Sequence, residues 1–134
     1  MIDEFVREWV AKALGDLKVA EHELMLPPEE AVAWAICFHC QQAAEKLLKA
    51  FLVSNQIDFK KTHDLDYLRQ LCTEIDPDFE NVDIGDLTSY AAEARYPSAS
   101  YAVSMSDARE CFRIASNIKS FVLKKLKVDE KLLR

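Results

Sequence analysis

Val6, Val10, Ala13, Leu17, Ala20 and Leu24 recur at alternating spacings of four and three residues. An α-helix brings such positions onto one face, so the spacing predicts an amphipathic helix from about Asp3 to Met25 with a single apolar seam. A seam of that length has to be buried against neighbours of similar length. The rest of the chain supplies them. Pro27-Pro28-Glu29-Glu30 stops the first helix and starts a second, because proline cannot continue a helix but fits its first turn, where carboxylates also favour the dipole. The second helix is predicted over roughly Glu29 to Ser54. Its wide apolar arc (Ile36, Cys40, Ala43, Ala44, Leu47, Leu48, Phe51) suits a central element touching several others.

A shorter helix follows, capped by Thr62 or Asp64, with Leu65, Leu68, Leu71, Cys72 and Ile75 inward; Asp76-Pro77-Asp78 breaks it. Asp83 to Arg95 reads as a further helix, ended by Pro97. Ser104-Met105-Ser106-Asp107 is a capping-box pattern that opens the last helix, which buries Ala108, Cys111, Ala115, Ile118 and Val122 before a charged tail expected to fray from Lys124. No segment alternates as a strand does, and the 134 residues include only two glycines and four prolines. The expected fold is all-α: an antiparallel up-and-down bundle of four long helices plus a short fifth, in one domain over residues 1–134.

The net charge of −6 disfavours indiscriminate binding of nucleic acid or anionic membrane, while leaving room for a local basic groove. The N-terminus lacks the apolar core and cleavage site of a signal peptide, and no apolar run approaches the ~18 residues of a membrane span. A cytoplasmic protein is the expectation. Cys37, Cys40, Cys72 and Cys111 then read as reduced thiols. Cys37-Phe38-His39-Cys40 has the form CxxC, but both cysteines point into the apolar arc and no second ligand pair exists, so no metal and no cofactor are expected. There is no glycine-rich phosphate loop, no GxSxG and no HExxH.

The polar positions of the second helix are more informative. His39, Gln42, Lys46 and Lys49 follow one another at spacings of three, four and three, and at ~100° per residue they share an arc of roughly 80°. An imidazole, an amide and two cations are suited to holding an anion, whereas a merely solvated face needs no such mixture. Thr62-His63-Asp64-Leu65 and Ala94-Arg95-Tyr96-Pro97 add related chemistry. Arg95 can complement a helix C-terminus or fork onto a phosphate, and Asp64 can cap a helix or position His63.

On these residues the chain resembles the HEPN family (higher eukaryotes and prokaryotes nucleotide-binding domain), in its small stand-alone prokaryotic form. The similarity runs from the first helix to Leu126 and is carried by FHCQQAAEKLLKAFL (residues 38–52), THDL (62–65) and ARYP (94–97). It implies a helical bundle, frequently a homodimer, with a cleft for nucleotide or RNA and often a minimal nucleotidyltransferase as partner in a toxin–antitoxin-like system. Many members are metal-independent ribonucleases whose signature is arginine, four to six residues, then histidine. Here Ser100, Tyr101 and Ala102 hold the permitted positions after Arg95. The resemblance therefore implies a binding module. Lys46, Lys49 and Arg95 would supply cationic contacts, and His39, Gln42 and His63 would orient the ligand. Asp64 would position His63, and Tyr96 would stack on a base or pack at the dimer seam. The alternatives are a ribonuclease toxin with a variant site and a purely structural dimerising protein.

Overall fold

The computed structural model describes residues 3–91 and 103–133. Four α-helices lie in that span: α1 (Glu4–Leu24), α2 (Ala33–Ser54), α3 (Leu65–Ile75) and α4 (Met105–Leu126), with short 3-10 turns at Pro77–Asn81, Leu87–Tyr90 and Glu130–Leu133. There is no strand among the described residues. Asp3 caps α1 by accepting from the Val6 amide at 2.9 Å, and the helix buries Val6, Val10, Ala13, Leu17 and Ala20, the predicted seam.

α2 starts later than its prolines suggest. The Pro27 carbonyl accepts from the amides of Glu30 and Ala31, folding that stretch into a tight turn, and the Glu23 carboxylate takes the Val32 amide at 2.8 Å. Helical geometry begins only beyond those bonds, at Ala33. α2 is the axis of the bundle and packs on α1, α3, α4 and the turn at Leu87–Tyr90. Thirteen of its 22 residues are buried, and because three of these are Gln41, Glu45 and Lys49, this helix takes polar groups into the interior. It ends in a Schellman motif. The Gln56 amide bonds the Val53 carbonyl, the Ile57 amide bonds the Leu52 carbonyl, both at 3.0 Å, and Gln56 sits at φ 59° in the left-handed region, turning the chain back on itself.

Asp64 caps α3 by accepting from the amides of Asp66 and Tyr67. The helix predicted over Asp83 to Arg95 takes another form. Gly85 adopts φ +48°, its amide bonds the Asp83 carboxylate at 2.9 Å, and a 3-10 turn at Leu87–Tyr90 follows. A left-handed residue there prevents a helix from running through. The remainder of that predicted helix, with Arg95 and Tyr96, lies outside the described residues. α4 opens with the predicted capping box, Ser104 and Asp107 each accepting from the other's amide at 3.0 Å. The tail does not simply fray: Lys119 pairs with Glu130 at 3.0 Å and the Arg7 guanidinium donates to the Leu132 carbonyl at 2.6 Å.

Phe79, fully buried, fastens the turn after α3 to the bundle, its ring 4.4 Å from Phe51 of α2 and 4.8 Å from Phe121 of α4. All four cysteines are buried free thiols, as the arc assignment predicts. Burial pushes the Cys72 thiol up to about 12 and the Cys40 thiol higher still; for Cys37 a hydrogen bond with Cys111 is the larger cause, with burial second. Thiols held protonated in this way are poor nucleophiles and poor metal ligands. Among the described residues no helix is long and apolar enough to cross a membrane.

Candidate functional site

The polar face of α2 is organised around two carboxylates. Asp16, on α1, reaches across to His39 and Lys46: its Oδ1 lies 2.9 Å from His39 Nδ1 and its Oδ2 accepts from Lys46 Nζ at 2.6 Å. These side chains are partly buried, so the contact sits at the surface seam between α1 and α2. One carboxylate thereby fixes two of the predicted site residues.

Glu45 is the second centre. Its carboxylate is nearly buried, and its Oε1 lies 2.7 Å from His63 Nδ1 and accepts from Gln41 Nε2 at 3.3 Å, while Oε2 takes Lys49 Nζ at 2.9 Å. Gln41 Nε2 also donates to the His63 carbonyl at 3.1 Å, and Gln42 Nε2 donates to Gln41 Oε1 at 2.8 Å. Gln42 thus joins the Glu45 network while standing one helical turn from both His39 and Lys46. A carboxylate only accepts, so His63 must donate through Nδ1 and present Nε2 outward, as an acceptor when the ring is neutral and as a donor when it is protonated. The His63 side chain is 63% exposed, and its Nε2 has no hydrogen-bond partner among the described residues. The ring is anchored on one side and open on the other.

Two predicted roles change. Lys49 is a buried cation, paired with Glu45 and lying between the rings of Trp9 and Phe59 at 5.8 and 5.6 Å, so it supports the site from beneath and does not face a ligand. Asp64 is occupied as the α3 cap, and Glu45 holds His63 in its place. Arg95 and Tyr96 lie outside the described residues. Besides Gln41, which donates to the His63 carbonyl and to Glu45, four contributors were not singled out from the sequence. Asp16 flanks the α1 seam, three residues after Ala13 and four before Ala20, the position from which a carboxylate meets the next helix. Glu45 stands four residues before Lys49, an ion-pair spacing. Lys60 and Lys61 precede His63 on the loop and are both exposed, and Lys61 has no ion pair among the described residues. The formal charges of Asp16 with Lys46, and of Glu45 with Lys49, cancel, and Lys60 and Lys61 add two cations to the loop that carries the imidazole, between Asp58 and Asp64, with Lys60 Nζ 4.7 Å from the Tyr67 ring.

A model of the HEPN domain matches residues 6–126. The chain belongs to the HEPN family. Among solved structures, this HEPN chain is similar to TT1696 from Thermus thermophilus, at 28% identity and TM-score 0.67, over 90% of this chain and 97% of that one. It shares the fold of ST0689, an archaeal HEPN homologue, at 23% identity and TM-score 0.65, over 90% and 96% of the two chains. No curated protein matches it. Membership places the chain, at the coarse level, among nucleotide- and RNA-related helical modules.

Proposed function

We propose that this HEPN domain is a non-catalytic module that binds the phosphate groups of a nucleotide or RNA at the polar face of α2. The reading rests on His63, an exposed imidazole fixed by buried Glu45 and flanked by exposed Lys60 and Lys61. Lys46, His39 and Gln42 extend the same face, with Lys46 and His39 held on Asp16. An anion arriving there meets donors already oriented by two carboxylates, buried Glu45 and partly buried Asp16.

Labelled single-stranded RNA tests the reading. Binding should weaken as salt rises, because cation-to-phosphate contacts are screened. Lys46→Ala and His63→Ala should each weaken it by about 1 to 3 kcal/mol with little loss of helicity, if each removes a charge-assisted bond. The strand should stay intact. No binding of RNA or nucleotide under low salt would sink the proposal. The Glu45–His63 pair also favours a second reading, since a carboxylate-oriented imidazole is the arrangement a general base requires. Cleavage that disappears in His63→Ala would establish the variant ribonuclease instead.

The family further supports a homodimer working beside a minimal nucleotidyltransferase in a toxin–antitoxin-like pair. Exposed Phe5, Trp34 and Leu132 are the kind of surface a second copy covers. Sedimentation at micromolar concentration should give about twice the chain mass. A monomer persisting well above that concentration would remove any site shared between two copies.

A further inference from the structure

Polar residues dominate tight turns, whose side chains face water. The turn between α1 and α2 departs from that. Val19, Met25, Leu26 and Val32 are four of the eight large apolar side chains exposed among the described residues, and all fall within residues 19–32. Met25, at 72%, is the most open of the eight. Met25 and Leu26 leave the end of α1, and the bond from the Val32 amide to the Glu23 carboxylate, at 2.8 Å, brings the start of α2 back beside them. Three of the four therefore lie around one turn.

That turn is also held in place. Pro27 and Pro28 fix two backbone angles, and the Pro27 carbonyl accepts from the amides of Glu30 at 2.8 Å and Ala31 at 3.0 Å. A rigid apolar tip surrenders little entropy on association, and methionine exposed beside leucine is the composition of a contact surface.

The charge around the tip identifies its occupant. From Val19 to Glu45 the chain has neither lysine nor arginine, while Glu21, Glu29 and Glu30 are exposed and Glu23 is partly so. None of these four glutamates is in an ion pair among the described residues. Such a rim repels nucleic acid and anionic membrane, and a second copy docking through the same patch would set its glutamates against their own kind. We propose that the α1–α2 turn is a docking surface for a basic protein, one whose own patch has an apolar centre ringed by lysine or arginine. Met25, Leu26 and Val32 form the apolar contact, and Glu21, Glu29 and Glu30 steer the approach and fix the orientation. The surface is independent of the phosphate site, and either reading can fail without the other.

The experiment uses a helical peptide of leucine and lysine as the probe, with a leucine–glutamate peptide and a lysine–serine peptide as controls. Spectra of the full chain carrying methyl-labelled methionine report where the probe lands, because Met25 lies in the patch and partly buried Met105 lies at the start of α4. The leucine–lysine peptide should bind, move the Met25 signal, leave Met105 in place and weaken as salt rises. Met25→Ser with Leu26→Ser should cut its affinity about tenfold or more. Glu29→Gln with Glu30→Gln should weaken it several-fold at low salt and flatten the salt dependence. Both variants should stay helical, because every replaced side chain is exposed. Neither control peptide should bind comparably. A leucine–lysine peptide that fails to bind at low salt, moves Met105 alone, or binds both variants as it binds the unaltered chain overturns the surface. So does a fall in sedimenting mass on Met25→Ser with Leu26→Ser, which would give the patch to a second copy.

Discussion

Glu45→Ala lowers stability by about 3 to 5 kcal/mol, the loss expected when one member of a buried ion pair is removed and the other is stranded. Lys49 is only 7% exposed and Glu45 5%, so neither charge is hydrated enough to stand alone. Gln41 Nε2 and the His63 ring lose an acceptor in the same step. The effect is a large fraction of the stability of a domain of this size. Replacing both ions together, Glu45→Leu with Lys49→Met, should recover much of the loss, because an apolar pair needs no partner. That double variant should still bind RNA poorly, since His63 has lost its anchor. Urea unfolding of the three proteins reads the stability side, and a loss below about 1 kcal/mol for Glu45→Ala would show that water reaches this carboxylate.

Phe79→Ala should cost a similar amount, about 3 to 5 kcal/mol, through a different mechanism. The ring is fully buried between Phe51 and Phe121, so its deletion leaves a cavity where the turn after α3, α2 and α4 meet. Phe51 leaves α2 about 120° from Glu45, so RNA affinity measured on the folded fraction should stay unchanged. A midpoint shift equivalent to less than about 1 kcal/mol would mean that the neighbours collapse into the space. The two variants together separate a residue that holds the fold from one that holds the fold and the site.

The periodic parts of the structure were legible before any coordinates. The α1 seam, the α3 cap, offered as Thr62 or Asp64 and taken by Asp64, and the Ser104–Asp107 box are local patterns, and each is found where its spacing places it. The departures come from contacts between residues distant along the chain or from a single backbone angle. Glu23 reaches nine residues onward to delay α2, and the left-handed Gly85 keeps the start of the next predicted helix from being helical, with a 3-10 turn following at Leu87–Tyr90. At the site, residue types were legible but their partners were not. The stripe identified His39 and Lys46, yet the Asp16 that holds them is on another helix. Lys49 belongs to the stripe by angle alone; Trp9 and Phe59, supplied by α1 and by the loop before α3, cover it.

The reversal at Gln56 governs how cheaply this site can work. Half of the site belongs to α2, which cannot shift without disturbing every packed helix. The other half, His63 with Lys60 and Lys61, sits on a loop that could otherwise sample many positions. The Schellman turn at one end, the Asp64 cap at the other and the two bonds from Gln41 and Glu45 between them order that loop in the free protein. Its conformational entropy is thus surrendered during folding and not at the moment of association, so a ligand meets a preorganised surface and keeps more of the free energy of each contact as affinity.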